Sequence, residues 1–289
     1  MNLAAEWRRV PGRRSNFWQR MSKHPYGLAA LVVLATFVAL SLAAPFVAPS
    51  SPLEMHLGQK LLPPGSGHLL GTDLYGRDIL SRLIYGGRTT FMEAGLAVAV
   101  AMFLGAFLGS LASYDPMGLG KVVVKSMDLW LAFPSLLLAL LIVAAIGPGI
   151  YQAGIAVGLA SVPIYARTTR AALLSAMQMP YVESARAIGC GTRCIWMRYL
   201  WPQALSTLIV LATGDVGWAI MNTAALGFLG VGSPPPVVEW GTMLLEGRKD
   251  LWLAPWASFF PGMAISLTVL SAIVLGDAIA DLTRPWQEE

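Results

Sequence analysis

The sequence predicts an all-helical integral membrane protein with six transmembrane helices, both termini cytoplasmic, and a cytoplasmic helix-turn-helix segment. Three observations carry this. Of 289 residues, 56% are hydrophobic and only 12% charged, about half the charged content of an ordinary soluble domain. Windows without charge over residues 24–53, 94–114, 129–166 and 251–276 reach or exceed the roughly 20 apolar residues that cross about 30 Å of hydrocarbon as a helix. Between such runs lies a polar, arginine-bearing island, residues 167–202.

The window 129–166 is too long for one span, and Gly147-Pro148-Gly149 in its middle is a stop and turn signal. It reads as two spans. Residues 205–229 supply another, interrupted by Asp215. The expected spans are therefore about residues 27–47, 93–113, 124–146, 151–168, 205–228 and 256–276. Basic residues followed by an apolar run and Ser41-Leu42-Ala43 resemble a secretory signal, but the long basic leader and the parity of six spans favour a retained signal anchor.

Lysine and arginine placement orients the helices. With the N-terminus inside, Arg8, Arg9, Arg13, Arg14, Arg20, Lys23, Lys121, Lys125, five arginines of the island and Arg284 all face the cytoplasm, 14 of the 20 basic residues. The positive-inside rule supports that orientation. The chain then divides into a cytoplasmic segment 1–26, the first span 27–47, a periplasmic segment 48–92, a five-helix core 93–280 that holds a coupling segment 171–203, and a tail 281–289.

Gly105-xxx-Gly109 and Gly154-xxx-Gly158 are expected to let helices approach closely in the bilayer. Cys190 and Cys194, four apart in the island with no histidine nearby, read as reduced cytosolic thiols. No nucleotide site is legible, because Gly118-Leu119-Gly120-Lys121 has Asp115 where a phosphate loop needs its first glycine and Val122 after the lysine. Nor is there a catalytic constellation: the histidines are His24, His56 and His68, and neither H-E-x-x-H nor G-x-S-x-G occurs. The chain does not read as an enzyme, and no metal or cofactor site is expected in it.

Within the island, Ala171 to Ala176 favour helix, Pro180 stops it, Tyr181 to Ala187 start a second helix, and Gly189-Cys190-Gly191 break it. Glu183 falls in the first turn of the second helix, where the macrodipole favours a carboxylate. Ala185 and Gly189, four apart, are expected to share a smooth exposed face. Such a hairpin can dock into another protein's groove.

At these residues the chain resembles the permease subunits of bacterial ABC importers, whose cytoplasmic coupling segment has the form E-A-A-x-x-x-G, nine residues, I-x-L-P. Here the matching positions are Glu183-Ser184-Ala185, Gly189 and Tyr199-Leu200-Trp201-Pro202, with Ser184, Tyr199 and Trp201 departing from the pattern. Leu70-Gly71-Thr72-Asp73, Gly76-Arg77-Asp78, Ser81-Arg82, Gly86-Gly87-Arg88, Ala225 to Gly230, Pro235, Glu239-Trp240-Gly241 and Gly276-Asp277 resemble the C-type permease of dipeptide, oligopeptide and nickel importers. That family usually closes with Asp-Pro, whereas this chain has Arg284-Pro285.

The resemblance implies a homologous permease on a separate chain, two cytosolic ATPases that bind ATP and magnesium, and a periplasmic or lipid-anchored substrate-binding protein, assembled at a bacterial inner membrane. It also implies a cargo of dipeptide, oligopeptide, nickel or metallophore, with peptide the first choice. A gated channel or a scaffold without ATP coupling is the reading outside this class.

In the outer segments, Pro234-Pro235-Pro236 reads as a stiff polyproline stretch, followed by Trp240, Trp252 and Trp256 at interface depth. These suit either docking of a soluble protein or anchoring to the membrane surface. His56 and His68 read as polar loop residues. Asp215 is an ionisable group inside an apolar span, a placement that costs on the order of 3 kcal/mol. Together with Asn222 it is a candidate for the translocation path, the other reading being an interhelical hydrogen bond to a serine or threonine. Asp128, beside Lys125, reads as half of a surface ion pair.

Overall fold

A computed structural model describes Met21 and residues 24–65, 67–114 and 118–283. The basic residues Arg8 to Arg20, Lys23 and Arg284 lie outside the described residues, as does Pro285. The order of helices is α1 (Pro25–Leu42), α2 (Ile79–Ser113), α3 (Leu119–Leu131), α4 (Ser135–Ile146), α5 (Ile150–Met177), α6 (Pro180–Ala187), α7 (Trp201–Phe228), α8 (Trp240–Gly247) and α9 (Trp256–Thr283). A short turn of helix, Thr192–Ile195, and a π turn, Trp196–Leu200, lead without a break into α7.

By length and apolarity α1, α2, the α7 helix and α9 can each cross a membrane, and α3 with α4 make a fifth candidate if the bent pair counts as one span. α5 is as long as α7, at 28 residues, but carries Gln152, Arg167 and Arg170.

The span expected over residues 124–146 is not one straight helix. α3 and α4 meet at 96°, because Pro134 cannot donate to the helical ladder and its ring pushes Phe133 out of helical geometry. α2 departs in the other direction. It starts at Ile79 rather than near residue 93 and runs 35 residues, about 52 Å at helical rise, so its first turns stand outside the apolar stretch. Asp78 caps it, one carboxylate oxygen accepting from the Ser81 amide and hydroxyl, each at 2.7 Å.

The α2–α5 pair is the most extensive helix contact, and both glycine pairs belong to it. Gly154 and Gly158 lie against Glu93, Leu96, Ala97 and Val100 of α2, while Gly105 and Gly109 lie against Val162, Tyr165, Ala166 and Thr169 of α5. The two helices therefore run parallel, each offering small residues where the other's backbone comes closest. A Cβ at Gly158 would sit 2.6 Å from the Ala97 carbonyl oxygen. The central core forms where α2, α4, α5 and α7 converge on Ala94, Ala97, Val143, Ala153, Ala156, Val157, Ile220 and Leu226.

Candidate functional site

The island folds into a self-packed elbow. α5 ends at Met177, α6 starts at Pro180, and the chain turns back at Gly189. The Gly189 amide donates to the Arg186 carbonyl at 3.0 Å and the Cys190 amide to the Ala185 carbonyl at 3.0 Å. These two bonds close a Schellman cap, which requires the left-handed residue at Gly189, φ 86°. Leu173, Ala176, Val182, Ala185, Ile195, Leu200 and Ala204 bury one another beneath it, and Tyr181 stacks on Tyr199 at 6.0 Å. Burial of apolar residues from α5, α6 and α7 in one cluster packs the elbow onto those helices.

This corrects the expected docking face. Ala185 is 3% exposed and belongs to the elbow's interior, because it sits on the same helical side as Val182, three residues earlier. Gly189 is exposed, as are Glu183, Ser184 and Ile188. Ile188, 82% exposed, is the residue that pattern reasoning missed. Its signal was the one large apolar side chain between Ala187 and a turn glycine.

Pro202 has no amide to give the Arg198 carbonyl, and the helix widens there: the Trp201 amide donates to Trp196, five residues back. Cys190 and Cys194 are joined in a disulfide, their Cα atoms 5.8 Å apart. The reduced thiols expected from the sequence are not what the structure holds, since the turn at Gly191 brings the start of the next helix under the end of α6.

A second constellation stands at the far end of α2. The Arg77 Nε donates to Asp73 Oδ2 at 2.6 Å and its Nη2 to Glu246 Oε2 at 2.7 Å, while Arg82 Nη1 reaches the same two oxygens at 2.5 and 2.7 Å. Thr72 Oγ1 accepts from the Leu62 amide at 2.8 Å and donates to the Gln59 carbonyl at 2.6 Å. Gly71, at φ 81°, touches Leu62 and Trp256, and Gly76, at φ 72°, turns against the His56 carbonyl. Gly71, Thr72, Asp73, Gly76, Arg77 and Asp78 thus come together as the cap of α2 and the anchor of α8. His68 Nδ1 meets Asp78 Oδ1 at 2.8 Å and His56 pairs with Glu54 at 3.3 Å. Among the described residues no group of three or more His, Cys, Asp or Glu could hold a metal.

The three tryptophans expected at the surface separate. Trp240 is buried, its indole donating to the Leu83 carbonyl at 2.8 Å between Phe37 and Phe91, in space left by Gly86 and Gly87. Trp256 is half-buried and donates to the Thr72 carbonyl at 3.2 Å. Trp252 alone stands out, 97% exposed. Pro234 to Pro236 do not form an extended rod; the Val237 amide folds back to the Pro234 carbonyl at 3.2 Å.

Asp215 is half-buried and accepts from the Tyr165 hydroxyl at 2.9 Å, joining α7 to α5. The partner is a tyrosine rather than a serine or threonine. Asn222 spends its side-chain amide on the Trp218 carbonyl of its own helix at 2.9 Å. Asp128 pairs with Arg167, from α5, rather than with Lys125.

A packed helical membrane subunit with this elbow matches known sequences over most of its length. Residues 101–288 match the family described as binding-protein-dependent transport system inner membrane component. The chain belongs to that family. Residues 13–64 match the N-terminal TM domain of oligopeptide transport permease C. The chain is 39% identical over 281 residues to a di/tripeptide transport system permease protein, DppC, of Pseudomonas aeruginosa, covering 95% of this chain and 93% of the relative. It is 36% identical to a glutathione transport system permease protein, GsiD, of Pectobacterium atrosepticum, covering 96% and 92%. An inward-facing structure of the MetNI methionine ABC transporter shares the fold at a TM-score of 0.57 and 19% identity, covering 71% of this chain and 98% of that one. The protein is thus a multi-pass permease subunit of an ABC importer, the transmembrane component rather than the catalytic one.

Proposed function

We propose that the chain is half of a peptide-importing pore in a bacterial inner membrane, with six spans, cytoplasmic termini, and a homologous permease on a separate chain as the other half. α5, the helix over the span expected at residues 151–168, is counted as the sixth span although its full length carries Gln152, Arg167 and Arg170; that count gives the parity that puts both ends on one side. The observation that carries the reading is the elbow, whose exposed Glu183, Ser184 and Ile188 ride on a core shared with α5 and α7. Two cytosolic ATPases, holding ATP and magnesium, grip the elbows of the permease pair. Their closure moves α6 as a rigid lever and tilts α5 and α7 between inward and outward opening. A periplasmic or lipid-anchored binding protein delivers solute to the outer segments, where Trp252 and Leu253 are exposed. Peptide is the cargo because relatives along nearly the whole chain are named for di/tripeptide and glutathione transport. Asp215 borders the path, held by Tyr165, with Asn222 two turns further along α7.

Co-purification tests this. ATPase subunits should accompany the wild-type chain, and Ile188→Asp should remove them while leaving membrane insertion intact, since that side chain packs on nothing within the elbow. Full association of the Ile188→Asp chain would defeat the docking role. An isolated homo-oligomer that conducts solute without ATP would favour a channel.

A further inference from the structure

Two carboxylates meet in the interior with no cation beside them. Glu93, midway along α2, and Glu239, at the N-cap of α8, are each fully buried. Ser233 touches both: its hydroxyl donates to Glu93 Oε1 at 2.8 Å, and its backbone amide faces Glu239. The other Glu93 oxygen has no hydrogen-bond partner, and the Glu239 carboxylate faces only backbone amides, those of Ser233 and Gly241. None of the ion pairs among the described residues includes either glutamate.

Among the described residues, no basic side chain of the surrounding elements forms an ion pair with either glutamate. On α2, Arg88 is exposed and Arg82 is held by Asp73 and Glu246. Beyond α8, Arg248 lies over the Phe228 ring at 5.5 Å. On α7, Asp215 is bonded to Tyr165, and on α5, Arg167 to Asp128. Thr90 of α2, next to the pair, faces the Trp240 amide at 3.4 Å.

Burying one unpaired carboxylate costs several kcal/mol, and a second beside it adds repulsion. A positive charge bound between them would relieve both costs. The surroundings leave little room for a hydrated ion: glycines close on Glu239 from three sides, and a Cβ at Gly241 would lie 2.7 Å from its Oε1 and one at Gly232 3.1 Å from its Oε2, with Gly227 closer still. A proton needs no volume.

We propose that Glu93 and Glu239 form a proton-binding site, one proton shared between a carboxylic acid and a carboxylate, which fastens the base of α8 to α2. The proton is taken from water when the two side chains come together and returned to water when they part. No bond other than the O–H is made or broken. Apart, each glutamate titrates near 4.3; burial raises the Glu239 carboxyl to about 7. The joined state therefore binds more protons than the parted state above the ordinary glutamate range, so its stability is complete in acid and is lost as pH rises through neutrality. α8 then carries opposite fastenings at its two ends: Glu246 held by arginines at the top, Glu239 held by a proton at the base.

The full chain, purified in the assembly with which it is expressed, gives two readouts that need no transport, so the importer reading can fail without touching this one. In infrared difference spectra the wild type should show a protonated carboxyl band near neutral pH that Glu93→Gln and Glu239→Gln each diminish. In hydrogen exchange of residues 229–247, the ratio of wild-type to Glu239→Gln exchange should grow with pH, by up to about tenfold per unit for a single linked proton. Identical pH profiles in wild type and both variants, with no change in the band, would overturn the proposal. So would protection that follows added sodium, magnesium or calcium at fixed pH, which would make this a metal site. Should neither variant accumulate, alkaline titration of the wild type decides: the band and the protection must disappear together, and a band absent throughout sinks the idea.

Discussion

Glu246 Oε2 accepts from Arg77 and Arg82 at the same distance, 2.7 Å from each. Asp73 Oδ2 accepts from the same two arginines, so two cations and two anions alternate around a closed ring. The ring ties the loop before α2 to the last turn of α8, elements 164 residues apart at Arg82 and Glu246. Arg82 is buried, and a buried guanidinium without its carboxylates is costly.

Replacing Glu246 with alanine should therefore destabilise the fold by about 1–3 kcal/mol, the desolvation cost of a buried group left unpaired. Asp73→Ala should cost more than Glu246→Ala, because Asp73 is the more deeply buried of the two anions and also accepts from the Tyr75 and Arg77 amides at 2.8 and 3.0 Å. Thermal unfolding of the purified subunit in one detergent, wild type against the two variants, checks the order. Equal losses would mean that the ring is not held chiefly from the loop side.

Gly158 probes the parallel contact of α2 and α5. An alanine there meets the Ala97 carbonyl oxygen at 2.6 Å and the Val100 Cβ at 2.8 Å, and neither is the loose end of a flexible chain. The helices must separate, at about 1–3 kcal/mol. Gly95, with nothing within 4 Å, is the control on the same helix pair. Gly95→Ala should be silent or slightly stabilising, since alanine is the better helix former.

At Gly189 the expected damage comes from the backbone. No atom lies within 4 Å of a Cβ built there, yet φ is 86°, a conformation that costs an L side chain about 1–2 kcal/mol. Gly189→Ala should loosen the end of α6, with faster amide exchange at Gly189 and Cys190, whereas Gly189→Asn should be milder because asparagine tolerates the left-handed region. Equal exchange in both variants and wild type would show that the cap does not depend on glycine.

These residues also show what a sequence can carry. The break at Gly147 to Gly149, the start of α6 at Pro180 and the turn at Gly189 were legible because proline and glycine act locally, on their own φ or their own amide. Pro134 carried the same signal inside an apolar window, and continuous hydrophobicity hid a bend that it does not forbid. The direction of Ala185 was lost because which side of a short helix is buried depends on Leu173 and Leu200, outside that helix. Glu93 was silent, and Glu239 was legible only within the motif Glu239-Trp240-Gly241, for a stronger reason: neither acid points to the other until the fold places them together.

The bond from Tyr165 to Asp215 separates two roles that an intramembrane carboxylate can have. If the carboxylate's work is to fasten α7 to α5, Asp215→Asn should retain most of the stability, because the amide oxygen still accepts from the tyrosine hydroxyl, and Asp215→Leu should lose it. Tyr165→Phe should lose about as much as Asp215→Leu, and the double variant little more than either one. A double-mutant cycle should return a coupling of about 0.6 kcal/mol, the average for hydrogen bonds between membrane helices, with about 1.7 as the upper end. If Asp215 borders the path through its charge, Asp215→Asn should lower uptake while Tyr165→Phe, which leaves the carboxylate in place, lowers it less. Uptake that falls equally in both variants, with stability unchanged, would assign the bond itself to the transport cycle, since geometry would then matter where charge did not.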